Sequence, residues 1–206
     1  MSSVQSEPTP DREPSNHSID KELMRRFLSP RRVALVGASR DASSVGGVLL
    51  ANMIEGGFAG EIHPVHPEAS EIQGRTAYPR LSDCPEVPDL VIVAVPAKAV
   101  VEVVDEAGRA GVAAVCVISA GFHEAGEEGK KRGQALLETV REHGMRMIGP
   151  NCMGLSNATS DVRLNATFSH VFPPAGRVGM LSQSGALGLA VLDHAEELGL
   201  GLSTFV

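Results

Sequence analysis

With 206 residues, 43% of them hydrophobic and 21% charged, the chain has apolar material for one full domain and a further piece. A net charge of -7 supplies no positive field for nucleic acid, and the strongest apolar runs, residues 90–95 and 112–118, are far too short to span a bilayer. The three cysteines, Cys84, Cys116 and Cys152, are odd in number and too widely spaced for a structural zinc site; the N-terminus lacks a charged start followed by an apolar stretch, so a cytoplasmic protein is expected.

Residues 1–18 are dominated by Ser, Pro, Glu, Gln and Asn, and a disordered tail is expected there. Asp20 can cap a short helix carrying Leu23, Met24, Phe27 and Leu28, which Pro30 stops. The stretch RVALVGASRDASSVGG at 32–47 then organises the chain: four apolar residues of strand length, Gly37, a small-residue loop, and paired glycines opening a helix over 46–55. Such a β-loop-α unit brings backbone N–H groups and a helix dipole to a phosphate. Ser39 stands where a dinucleotide fingerprint would have its second glycine, so that fingerprint is not matched.

Strands are expected at 61–65, 89–95, 112–119 and 144–148, with helices over 97–110 and 127–143 between the later ones. The alternation predicts an α/β fold, a doubly wound parallel sheet whose ligand crevice lies at the carboxyl ends of its strands. The loops after Val36, Val95, Ile118 and Ile148 should therefore converge. Residues 149–157 read as a polar joint, and the region 156–175 as a linker with a short extended piece. A second unit follows, with a strand at 178–181, a helix over 186–198 and a last strand, 202–206, with nothing after it to cover it. The expected division is a tail (1–18), a first domain (19–155), a linker (156–175) and the truncated start of a second domain (176–206).

Taken together, VGASRDASSVGG at 36–47, AVPA at 94–97, ISAGF at 118–122, RMIGPNCMG at 146–154 and GRVGMLSQSGALG at 176–188 resemble the N-terminal part of the NDP-forming acyl-CoA synthetases, the superfamily of the succinyl-CoA synthetase alpha subunit. The resemblance implies a Rossmann-like CoA-binding domain followed by a flavodoxin-like domain that carries a phosphorylated histidine. Carried over by position, Gly37, Ala38, Ser39, Val45 and Gly46 match the CoA pyrophosphate loop, where Arg40 adds the one cation; Val95, Pro96 and Ala97 match the channel lining. Ser119, Ala120 and Gly121 match the support of the pantetheine arm, and Asn151 and Cys152 the turn near the thioester end. Ser182, Ser184, Gly185 and Ala186 match the helix N-terminus that receives the phosphohistidine, although the two serines could instead merely cap the helix after them. No metal site is implied within the chain.

The family's phosphohistidine lies beyond Val206, and so does the ATP-grasp domain or subunit through which ATP, ADP and Mg would enter; residues 1–206 alone are not expected to complete a ligase cycle. The implied partners are CoA and a small carboxylic acid, with homo- or hetero-oligomers both compatible and neither nucleic acid nor membrane expected. Two other functions remain open. VRLNATF at 162–168 is similar to versions fused to GNAT-type acetyltransferases, which suggests a non-catalytic acyl-CoA-sensing module. Glu68 stands about where an NAD-binding oxidoreductase places its ribose-binding acid, and it is also a departure from the family, which often has a lysine there; Arg40 or Arg75 would have to compensate for its charge.

Overall fold

Apolar runs separated by helix-forming stretches fold, in the computed structural model of this chain, into a parallel sheet with helices on both faces; residues 21–206 are described, and the expected tail and the Asp20 cap lie outside the described residues. In chain order the elements are α1 (Lys21–Leu28), β1 (Arg32–Val36), α2 (Val45–Glu55), β2 (Glu61–Val65), β3 (Glu71–Ile72), β4 (Arg75–Thr76), β5 (Leu90–Val93), α3 (Ala97–Arg109), β6 (Ala114–Val117), α4 (Gly126–Glu142), β7 (Arg146–Ile148), β8 (Gly154–Asn157), β9 (Leu164–Thr167), β10 (Ala175–Met180), α5 (Gly185–Glu197) and β11 (Leu202–Phe205). The main sheet runs β2-β1-β5-β6-β7 with every pairing parallel.

Because successive strand residues point to opposite faces, the continuous apolar runs divide between two cores. Val33, Leu35, Leu90, Ile92 and Cys116 pack with Phe27 of α1 and with Leu49, Leu50 and Met53 of α2. Their neighbours Ala34, Val36, Val91, Val93 and Val115 pack on the other face with Val100 and Val104 of α3 and Leu136 and Val140 of α4. Each large side chain buried in this way contributes about 1.5–3 kcal/mol.

The region expected to be a joint and linker is not one in the structure. It carries β8 and β9, an antiparallel pair whose eight residues are all buried, and Leu155, Leu164 and Ala166 join the core on the α2 face of the main sheet. A polar stretch can be buried here because its polar groups are paired. Asn157 gives its amide to the Leu28 carbonyl and accepts from the backbone N–H and hydroxyl of Thr159. Asn52 of α2 donates to the carbonyls of Thr167 (2.7 Å) and Ser169 (2.8 Å), and Arg163 donates to the Gly56 carbonyl.

The second sheet runs β10-β11-β8-β9. Contrary to the expectation of a bare final strand, β11 has β10 parallel on one side and β8 antiparallel on the other. Leu202 and Phe205 are buried with Met153, Val171, Leu192 and Ala195. The apolar surface that stays open lies instead on β10 and α5 and their flanks, at Val178, Leu181, Leu187 and Leu198. The small hairpin β3–β4, which Pro67 and Gly74 obscured in the sequence, is tied to the first loop: Arg40 donates to the Glu71 carbonyl, and Gln73 to that of Gly47.

Candidate functional site

The loops at the carboxyl ends of the main strands do converge. Ser119, after β6, donates its hydroxyl to the Val95 carbonyl after β5 (2.6 Å), and its own carbonyl accepts the N–H of Asn151 after β7 (3.0 Å). These bonds set the loops side by side around a cavity of about 700 Å³. One wall is Val45 at the start of α2 with Ala94 and Val95; the next is Ile118, Ser119 and Ala120; Asn151, Cys152 and Met153 follow, and Phe168 with Gln183, Gly185, Ala186 and Leu189 close the opposite side. Among the described residues no Asp, Glu, Lys, Arg or His lines it. A smaller cavity of about 350 Å³ adjoins it, sharing Asn151, Cys152, Met153, Gln183 and Gly185 and adding Gly149, Pro150, Ser182 and Val206.

Of the residues singled out in the sequence, the larger cavity thus gathers Val45, Val95, Ser119, Ala120, Asn151, Cys152, Gly185 and Ala186, and the smaller one Ser182. Gly37, Ala38, Ser39, Arg40, Gly46, Pro96, Ala97, Gly121 and Ser184 line neither. Their places have structural causes. A Cβ on Gly46 would stand 1.9 Å from the Gly37 carbonyl oxygen, so this glycine lets α2 pack against the end of β1, a task distinct from making room for a phosphate. Gly37 itself has φ +96° and lies against the Ala94 carbonyl. Ser39 accepts the Asp41 N–H, and Asp41 accepts from the hydroxyl and N–H of Ser43, which hold its carboxyl below the usual range. Arg40 is exposed and turned to β3.

Pro96 occupies the N-cap position of α3, with Ala97 its first residue. The Gly121 carbonyl is held by Arg132, while its N–H and that of Phe122 go to the Glu124 carboxylate, whose pKa these backbone donors lower. Ser184 caps α5, accepting the Leu187 N–H at 3.3 Å, and Ser182 accepts the Ser184 N–H while donating to its carbonyl. Glu68 is exposed and away from both cavities; its N–H and that of Ala69 meet His66 Nδ1, each at 3.1 Å. Ala94 and Ile118, together with Met153, Phe168, Gln183 and Leu189 of the second unit or its approach, line the cavity without having been predicted from the sequence. All but Leu189 had a signal, since they stand within AVPA, ISAGF, RMIGPNCMG, VRLNATF and GRVGMLSQSGALG, but only the fold lays the second unit across the first crevice.

The cavity's one group with perturbed ionisation is Cys152, whose Sγ lies 3.8 Å from that of buried Cys116 and 3.3 Å from the Val117 carbonyl. The hydrogen bond from the Cys116 thiol, aided by the N–H groups of Gly154 and Cys152 itself, draws the Cys152 pKa down; the same bond and full burial raise that of Cys116. Among the described residues no cluster of His, Cys, Asp and Glu could hold a metal ion, and no helix is long and apolar enough to cross a membrane.

Residues 31–158 match the family described as "CoA binding domain". The chain is 43% identical over 183 residues to acetate–CoA ligase [ADP-forming] I of Archaeoglobus fulgidus, covering 89% of this chain and 26% of that protein. It is 40% identical over 184 residues to the alpha subunit of acetate–CoA ligase [ADP-forming] I of Pyrococcus furiosus, covering 87% and 39%. A solved structure of the dinucleotide-forming acetyl-coenzyme A synthetase 1 of Ca. Korarchaeum cryptofilum, in complex with phosphate and ADP, superposes with a TM-score of 0.83 at 38% identity, over 89% of this chain and 39% of that one. The chain therefore spans between a quarter and two-fifths of the length of these relatives.

Proposed function

The chain belongs to the CoA-binding domain family, and from that premise we propose that it is the CoA-binding portion of an NDP-forming acid–CoA ligase acting on a small carboxylic acid. The observation that carries this reading is the cavity at the carboxyl ends of the main strands, walled by small and apolar side chains with no acid or base of the Asp, Glu, Lys, Arg or His type. Such a lining suits the uncharged pantetheine arm and not a charged nucleotide, and its hydrogen-bonding groups, on Ser119, Asn151 and Gln183, suit amides. The phosphates of CoA would then lie outward, at the N-terminus of α2. There the N–H groups of Val45 and Gly46 have no intrahelical partner, and Ser44 takes only that of Gly47. CoA supplies the thiol that accepts the acyl group; the chain's part is to bind the arm and aim its end toward Asn151 and Cys152.

In this proposal residues 19–155 form the CoA-binding domain, and residues 176–206 open a flavodoxin-like domain. The smaller cavity is where that unit meets the thiol end. Gly185 and Ala186, at the start of α5, and Ser184, whose hydroxyl accepts one N–H and keeps its proton to give, would receive a phosphohistidine. ATP, ADP and Mg enter through an ATP-grasp domain or subunit, and the compartment is the cytoplasm.

Calorimetric titration of the chain with CoA and with NAD tests the reading. CoA is expected to bind and NAD to bind more weakly or not at all; tighter binding of NAD overturns it. Replacing Ala120 by Phe, which fills the cavity wall, should weaken CoA binding about tenfold or more through lost space alone.

A further inference from the structure

Cys152 and Cys116 are placed differently with respect to the same cavity. Cys152 forms part of its wall, while Cys116, on β6, is fully buried directly behind it, and the two sulfurs are 3.8 Å apart. A disulfide requires about 2.05 Å between sulfurs. The approach falls to Cys152, on the loop between β7 and β8, since Cys116 is fixed in the middle of the sheet with partners on both sides. The loops are held by Ser119 and the Asn151 backbone as well as by the bond from Cys152 to the Val117 carbonyl, so they do not depend on the thiols alone.

We propose that Cys152 and Cys116 form a thiol–disulfide exchange site for a CoA-type disulfide, with Cys152 the attacking sulfur and Cys116 the resolving one. The inference rests on the CoA reading of the cavity, which brings the sulfur end of the ligand to Cys152. The Cys152 thiolate attacks one sulfur of CoA disulfide, a Cys152–CoA bond forms, and the first CoA leaves as thiolate and takes up a proton. Cys116 then attacks the Cys152 sulfur, its proton passing to the second CoA thiolate as that leaves. The products are a Cys116–Cys152 disulfide and two CoA thiols; the protein dithiol is oxidised and the CoA disulfide reduced. The ionisation of the pair supports this order. Hydrogen bonds from Cys116 and from two backbone N–H groups draw the Cys152 pKa down against the opposing effect of its burial, and the thiolate is the nucleophile in such exchange; as a thiol, Cys152 donates to the Val117 carbonyl. Cys84 serves as an internal control: burial, with Asp83 and Glu106 nearby, pushes its thiol up to about 11, and it lines neither cavity.

The experiment incubates the reduced chain with CoA disulfide, alkylates the remaining thiols and maps the peptides by mass spectrometry. In the unaltered chain Cys116 and Cys152 should be joined and Cys84 alkylated. In Cys116→Ala the CoA adduct should persist on Cys152, and Cys152→Ala should take none. CoA disulfide should oxidise the pair roughly tenfold faster than glutathione disulfide at equal concentration, because the cavity holds it in place. Should Cys116→Ala fail to fold, the peptide map of the unaltered chain decides alone. CoA binding by calorimetry with both thiols still open to alkylation overturns the inference and leaves the CoA reading standing. Absence of CoA binding overturns that reading, and equal rates with the two disulfides overturn the assignment of the oxidant.

Discussion

Val91 and Val178 both lie on parallel β-strands, yet Val91 is fully buried and Val178 is 56% exposed. The first sits on β5, between β1 and β6, with α3 and α4 packed on its face. The second sits on β10, which among the described residues is an edge strand paired with β11 alone, and α5 turns Leu192 and Ala195 inward to β11 while leaving Leu187 open. The helix starts differ in the same sense. Gly46 at the start of α2 is wedged against the Gly37 carbonyl, whereas a Cβ on Gly185 at the start of α5 would find nothing closer than 3.9 Å. Similar β-loop-α sequences thus serve two purposes: in the first unit the glycine closes the packing, and in the second it leaves space over the cavity.

Five substitutions would break or sharpen that contrast. The largest effect is expected for Leu35→Ala in the fully buried core, a loss of about 2–5 kcal/mol in urea unfolding from the missing contacts and the cavity left behind. A loss below that range would mean that the first sheet is as loosely covered as the second. Gly46→Ala comes next, at about 1–3 kcal/mol, because the new methyl must displace the Gly37 carbonyl; Gly185→Ala, with open space around it, should leave the melting temperature unchanged. Equal effects from the two glycines would remove the distinction between packing and spacing.

Asn52→Ala tests how β9 is held to the first unit. It leaves the carbonyls of Thr167 and Ser169 without their donor, at a cost of about 1–3 kcal/mol, and hydrogen exchange should quicken in β8 and β9 before it does in β5. Uniform exchange would show that the hairpin does not depend on this side chain. Like Gly185→Ala, Leu187→Ser on α5 should change little, within about 0.5 kcal/mol of the unaltered chain, since the side chain is already 58% exposed. A destabilisation matching that of Leu35→Ala would reveal cover on α5 in solution.

The main sheet was legible because residues 33–36, 90–93 and 114–117 of its strands are buried on both faces, so each reads as an unbroken apolar run. The convergence of the loops after Val36, Val95, Ile118 and Ile148 then follows from parallel pairing, and Val95, Ser119, Ala120, Asn151 and Cys152 lie on those loops around one cavity. What failed was burial of polar sequence. GLSN looks like loop, and LNAT like a short extended piece in a linker, because Asn, Ser and Thr favour turns, and their burial depends on partners far away in the chain: Asn52 is 115 residues from Thr167, and Asn157 is 129 from Leu28.

By itself, then, the sequence determined the alternation of strands and helices, the parallel order and the crevice, since these follow from local periodicity and from the handedness of β-α-β connections. Only the tertiary structure decided that β8 and β9 complete the first core, that Gly46 packs a helix, and that α5 closes the cavity from the far side. It alone set Cys116 behind Cys152 as well. Each of these is a meeting of residues distant in the chain, and its free energy comes from contacts and hydrogen bonds that exist only once both partners are in place, so no local pattern records it.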